Sequence, residues 1–352
     1  MSEPRFGRTR SSLRSAQVRP LTGVVQTIAD GLTIALQRPR LLLLPLLVDL
    51  VLWLLLQVSI QPLADNVAEV LAASGAGDAA LAAEQLTAVG DHVRASDALS
   101  VFLPSIFSGL AVDSLLNGLV FFLLPRLAMG IDREAMYGNW ENGLLGVWTP
   151  GSPGAVAGIM LALLILGSLL VVAYRVPLAR TVRGDATARR QALQETAVGW
   201  VHFLGYLVLL MMIGVALVVP VMLASVVFLV LGFELAFVLT IALLIFGGMA
   251  GISTLFVLDA MLLHRIGPVQ GIAMSVRVAR AYFGQTTRFA LTSLLLATGA
   301  LQVWSTTVQN APGIAIALVA NAFLGTGLSL ASMLFYAERF RHIRAASLWK
   351  RS

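Results

Sequence analysis

Long apolar runs alternate along the chain with shorter polar segments, and the apolar runs set the expected architecture. Six stand out, at 41–60, 154–173, 197–219, 235–258, 289–306 and 313–336. An α-helix rises about 1.5 Å per residue, so about 20 apolar residues cross a hydrocarbon layer about 30 Å thick. Runs of this length lack the two-residue alternation of barrel strands. They predict helices, whose backbone amides satisfy one another where there is no water. The expected fold is all-α: a polytopic integral membrane protein with about six transmembrane helices.

A second pattern lies between the spans. In "PVQGIAMSVRVARAYFGQ", Val269, Ile272, Val276, Ala279 and Phe283 recur at helical spacing, while Gln270, Arg277 and Arg280 fall on the other side. That is the pattern of an amphipathic helix lying flat in the cytoplasmic interface. "LTGVVQTIADGLTIALQRP" repeats it with Leu21, Val25, Ile28, Leu32 and Ala35, and "RRQALQETAVGW" is a shorter case. Two explanations fit: three repeated units of interfacial helix, outward span and return span, or the ordinary amphipathicity of basic connections.

Composition agrees with the pattern. The chain is 58% hydrophobic and only 12% charged, more apolar than soluble domains. About 40 residues precede the first span with no A-x-A cleavage site close behind it, so that span is expected to stay as a signal anchor. Charge then sets orientation, because short basic loops resist translocation. Arg5 to Arg40, the loop 175–190, the connection 265–288 and the tail 339–351 together hold 21 of the 24 basic residues. Residues 61–152 hold the other three, Arg94, Arg126 and Arg133, with ten acids, for a net charge of −7 against +13 elsewhere. The expectation is an inner (cytoplasmic) membrane protein with both termini cytoplasmic. It comprises a basic disordered arm (1–19), an interfacial helix plus first span (20–60), an acidic outer insert (61–152), a five-span bundle (153–337) and a basic tail (338–352).

Within the insert, 101–130 is apolar but interrupted by Pro104, Gly109, Asp113, Asn117, Gly118 and Pro125. Parity requires it to cross the membrane twice or not at all. It is either a pair of short helices on the outer surface, a re-entrant segment or a two-span hairpin. Residues 63–98 read as two amphipathic helices, and "WENGLLGVWTPGSP" supplies turn residues and aromatics suited to the headgroup level.

Few ionisable groups fall inside the spans. Asp49 sits near the middle of the first, His202 one turn into the third, and Asp259 at the inward end of the fourth, followed by His264 and Arg265. A carboxylate at the centre of a span costs on the order of 2.5–3.5 kcal/mol, so Asp49 should face the bundle. The three residues are either members of a proton or cation pathway, or structural groups bonding neighbouring helices and anchoring helix ends. Pro220 suggests a kink and Glu234 an outer turn. Small pairs at Gly154/Gly158, Gly247/Gly251 and Gly325/Ser329 permit close helix approach. Arg277, Arg280 and Arg288 are placed to meet anionic lipid headgroups.

Catalytic and cofactor signatures are missing. There is no cysteine, no H-E-x-x-H, no G-x-S-x-G, no Walker loop and no G-x-G-x-x-G. The four histidines lack metal-ligand spacing. No enzyme activity, metal or cofactor is expected. Because the basic residues flank spans, the partner they imply is the lipid bilayer and not nucleic acid; a homo-oligomer or membrane partner stays open. "LQRPRLLLLPLL" and "GPVQGIAMSVRVARAYFGQTTRFALTSLLL" resemble patterns in several poorly characterised bacterial integral-membrane families, including the membrane domain attached to some glycerophosphodiester phosphodiesterases. The resemblance covers a small part of the chain and implies a helical membrane domain; it carries no activity, since no hydrolase domain is present. Two functions remain: permease or channel-like transport of a small solute or ion, and a non-enzymatic membrane scaffold or accessory subunit.

Overall fold

The computed structural model describes residues 21–54, 57–73, 146–185, 189–230, 248–308 and 311–349, with isolated positions between 80 and 105. The arm 1–19, most of 101–130, Glu234, the first half of the fourth predicted span and the last three residues lie outside the described residues. The described chain is helical. Its only β pairings are two isolated bridges, Val58 with Trp148 and Ser59 with Arg94.

The helices are α1 (Val24–Gln37), a 3-10 turn (Pro39–Leu42), α2 (Leu43–Leu54), α3 (Gln61–Ala73), α4 (Pro153–Arg183), α5 (Arg189–Val230), α6 (Val257–His264), α7 (Pro268–Ala281), α8 (Phe283–Thr307) and α9 (Ala311–Trp349). Among the described residues, three helices are long and apolar enough to cross a membrane, over Pro153–Arg183, Arg190–Ala216 and Pro312–Ala346. They contain the second and sixth predicted spans and all but the last three residues of the third. Large side chains such as Val201, Met211, Met212 and Leu295 stay exposed on α5 and α8, as suits helices whose outer surface meets lipid.

Local chemistry fixes the ends of α4. Ser152 caps its start, accepting from the Ala155 amide at 3.2 Å, and Pro153 occupies the first turn, where its missing N–H costs nothing. Gly184 closes the far end at φ 75°, a left-handed conformation natural to glycine. The helix therefore runs nearly three turns beyond the predicted span. Arg175, read from the sequence as the first residue of a cytoplasmic loop, is instead inside α4.

The first predicted span also differs from expectation. Residues 41–60 are not one helix: α2 ends at Leu54 among the described residues, and 57–60 are extended, leading into α3. Thr22 bonds to Glu338 and Arg339, whereas Gly31 meets Gly327 and Ala331. As α1 advances, its contacts on α9 therefore step backwards, so the two helices are antiparallel. α1 was predicted to lie flat with Leu21, Val25, Ile28, Leu32 and Ala35 inward. It runs along α9 instead, with Thr27, Ile28, Gly31 and Ala35 buried and Val25 76% exposed. The reason is steric: a Cβ at Gly31 would stand 2.7 Å from the Ala331 amide nitrogen, and one at Gly327 would press on Leu32, so the bare glycines are what let the two helices approach closely.

α7 also packs on a different face from the predicted one. Its buried residues are Gly271, Ser275, Val278 and Ala279, while Val269 and Phe283 just beyond its end are exposed. Gly271 lies on Met261 and the Val257 carbonyl, and Ser275 on the chain at 253–256, so α6 and α7 are antiparallel. Small residues face the protein here and large ones face outward, the reverse of a soluble helix. α8 is antiparallel to α9, through Tyr282 to His342, Gln285 to Arg339 and Phe289 to Phe335. α9 is thus the central helix, with α1, α2, α4, α6, α7 and α8 around it.

Candidate functional site

The inward face of α9 carries polar and small residues at Asn321, Gly325, Ser329, Ser332, Tyr336 and Arg339. These positions follow the helical repeat, so they form one stripe. From the first to the last the helix rises about 27 Å, comparable with the hydrocarbon thickness of a bilayer. Each level of the stripe meets a polar group from another element.

At the level of Asn321 and Gly325, the short irregular segment Leu103 to Ser105 enters the bundle. Pro104 sits against Gly325, where a Cβ would lie 3.2 Å from its Cγ. Asn321 Nδ2 donates to the Pro104 carbonyl at 3.4 Å. Ser105 Oγ donates to Asp49 Oδ1. Nearby, Leu99 lies on Gly167, midway along α4, where a Cβ would stand 2.6 Å from the Leu99 carbonyl oxygen. Leu99, Leu103 and Ser105 are all buried. Non-helical backbone such as Leu103 to Ser105, packed against the middle of a long apolar helix, is tolerated only when protein covers it, and glycines at 167 and 325 provide the room for Leu99 and Pro104. Asp49 is fully buried, with Ser105 as one of its partners.

The next level holds Tyr174, whose hydroxyl donates to Thr326 Oγ1 at 3.0 Å and also reaches Ser329. One residue on, Arg175 Nη1 bonds Asp259 Oδ1 at 2.7 Å, and Ser332 Oγ donates to Asp259 Oδ2. Asp259 has no exposed surface. It is held there by a break in the helix before it. Residues 248–254 are helical, 255–256 form a turn, and α6 restarts at Val257 with Asp259 in its first turn. The break is stapled by Ser275 of α7, which accepts from the Phe256 amide at 3.2 Å and donates to the Ser253 carbonyl at 2.7 Å. One hydroxyl thereby satisfies a donor and an acceptor that the interrupted helix leaves open.

Nearer the C-terminal end of α9 the stripe is aromatic and charged. Tyr336 packs among Phe256, His264 and Phe340. Its hydroxyl and His264 Nε2 are buried without a hydrogen-bond partner among the described residues. Arg339, 1% exposed, lies with its guanidinium 3.6 Å over the Phe335 ring. It donates to Glu338 at 2.8 Å, to the Thr22 carbonyl at 2.8 Å and to Gln285 at 3.3 Å, while the Thr22 amide donates to Glu338 at 2.8 Å. These bonds tie the start of α1 across the end of the stripe.

Beside this column is a cavity of about 490 Å³ between α4, α5 and α6. Val176, Ala179 and Met261 form part of its wall, and Arg183, Glu195 and Arg265 are charged groups around it. Arg183 bonds Asp185 and Glu195 at 2.7 Å each and the Leu262 carbonyl at 2.6 Å. His202 lines the same cavity.

The three polar residues singled out from the sequence thus occupy different places. Asp49 and Asp259 lie at two levels of the stripe, and His202 lines the adjoining cavity. Arg277, Arg280 and Arg288 are exposed and make no ion pair with a described residue. The stripe itself was missed, although "NAFLGTGLSLASMLFYAERF" carries its signal: polar residues at helical spacing inside an apolar helix. Of the small-residue motifs, Gly325 is used against Pro104, whereas Gly154, Gly158 and Gly251 have open space where a Cβ would go. Among the described residues no cluster of His, Asp and Glu could hold a metal ion. The chain matches no protein-family model, no curated protein and no solved structure.

Proposed function

We propose that the protein is a multi-pass inner-membrane transporter or channel-like protein for a small solute or ion, with both termini cytoplasmic and the acidic insert outside. The observation that carries this reading is the polar stripe of α9, met by Tyr174 and by the Arg175–Asp259 pair, with the buried Asp49 joined through Ser105 to the segment that packs on Asn321 and Gly325. Buried ionisable groups inside apolar helices are costly, and their usual work is to carry ions or protons. Two features add support. Broken helices and irregular backbone beside a buried charge are common construction in transport sites, and the cavity at His202 is large enough for a small solute.

In the same reading the six apolar runs all span the bilayer, and the exposed Arg277, Arg280 and Arg288 contact anionic headgroups. The test is flux. Purified protein in lipid vesicles, challenged with a panel of inorganic ions and small polar solutes, is expected to show protein-dependent movement that Asp49→Asn abolishes while the variant stays folded. No movement of any probe by the wild-type protein overturns transport and favours a scaffold. Orientation is tested in this cysteine-free chain by Trp148→Cys, expected to label from outside, and Arg341→Cys, expected to label from inside.

A further inference from the structure

Resting on the transport reading, the geometry points to the proton as the species moved, handed along hydroxyl and carboxyl groups between Asp49 and Asp259 and from Asp259 to the cytoplasmic side through Tyr336 and His264.

The first argument is width. The stripe is packed, not open: Pro104 presses on Gly325, and Phe256 stands 5.4 Å from Phe335 and 6.0 Å from Tyr336, ring centre to ring centre. A solute or hydrated ion needs a lumen to pass such a column. A proton does not, because it moves by exchange between adjacent oxygens and nitrogens.

The second argument is chemical. Both buried carboxylates accept from a serine hydroxyl, Asp49 from Ser105 and Asp259 from Ser332. Between their levels lie three hydroxyls, with Tyr174 of α4 bonded to Thr326 and reaching Ser329 of α9. A hydroxyl can release its hydrogen forward while taking one from behind, so it ends as it began and needs only to reorient. A carboxylate takes up a proton and then releases it, and Asp259 would alternate between those two states while Arg175 keeps its charge. The groups facing Asp259 are Arg175 from α4 and Ser332 and Tyr336 from α9, with His264 near the end of its own helix and Tyr174 one residue before Arg175.

The third argument is the state of the two groups on the cytoplasmic side of Asp259. The Tyr336 hydroxyl and His264 Nε2 are buried and make no bond with a described residue. Their rings adjoin, with centroids 5.8 Å apart, so neither group is held by a competing bond to a described residue and each is chemically able to take up a proton and pass it on. A relay step needs groups of that kind.

The test uses the full chain in vesicles containing a pH-sensitive dye, with a potassium gradient and valinomycin to set the potential. Matched vesicles report sodium, potassium, chloride and small-solute movement. Wild-type protein is expected to carry a potential-driven proton flux. Tyr336→Phe keeps the ring and its packing, and Ser332→Ala removes one oxygen; each is expected to slow proton flux by about tenfold or more. Proton flux unchanged in both folded variants overturns the route. Movement of another probe without protons overturns the proton assignment and leaves transport standing. Silence with every probe overturns both.

Discussion

Replacing Gly31 with alanine probes the contact that fixes the path of α1. A Cβ at this position would stand 2.7 Å from the Ala331 amide nitrogen and 2.8 Å from the Ala331 Cβ, and would also press on the Gly327 carbonyl. Two of these three are backbone atoms of α9, which cannot rotate away, so the helices must separate. Overpacking of this kind costs about 1–3 kcal/mol, and the backbone partners put the expected cost near the top of that range. Alanine in a helix returns up to about 1 kcal/mol through its higher propensity, leaving a net loss of about 2 kcal/mol. Gly158→Ala is the matched control. Gly158 also lies inside a helix, α4, but nothing stands within 4 Å of its Cβ position, so only the propensity gain applies. Equilibrium unfolding by SDS titration in mixed micelles should separate the two variants by about 3 kcal/mol. If Gly31→Ala were as stable as Gly158→Ala, α1 would not be packed along α9, and an interfacial position for it would be restored.

Three further outcomes follow from named contacts. Asp259→Ala leaves the Arg175 guanidinium without its partner and should destabilise by roughly 3–5 kcal/mol, whereas Asp259→Leu combined with Arg175→Met should recover most of the loss in the same titration. Ser275→Ala deprives the Phe256 amide and the Ser253 carbonyl of their shared partner; a loss of about 1–3 kcal/mol is expected, with faster amide exchange confined to the break before α6. Glu338→Ala removes the acceptor of the Thr22 amide. Hydrogen exchange at Thr22 should then rise by about tenfold or more, and an unchanged rate would show that the start of α1 is held elsewhere.

The apolar runs made the helical class and the three long apolar helices legible from the sequence. Nothing but self-satisfied backbone suits so much hydrocarbon, and that constraint is local to each run. The caps of α4, Ser152, Pro153 and Gly184, also act on residues beside them, but the apolar run by itself ends at residue 173 and did not reveal the helix's far end. Asp49 and Asp259 could be singled out because a charge in an apolar run is conspicuous wherever the chain goes. Their partners could not. Ser105 is 56 residues from Asp49, and Arg175 is 84 from Asp259, so no spacing along the chain relates them.

Amphipathic patterns misled where the helix they belong to has neighbours on an unexpected side. Val269 and Phe283 make the apolar stripe associated with α7, yet the protein buries Gly271 and Ser275, because lipid accepts the large side chains and a neighbouring helix accepts the small ones. Composition and period determined that this chain forms long apolar helices with a few buried charges. Only the folded bundle decided that α1 runs along α9, that Ser275 bridges the break before α6, and that the polar residues of α9 meet Tyr174, Asp259 and the segment at Pro104 whose Ser105 holds Asp49. Those pairings depend on which backbones can approach closely, at Gly31 and Gly327 above all, and that is a property of two surfaces meeting, absent from either segment alone.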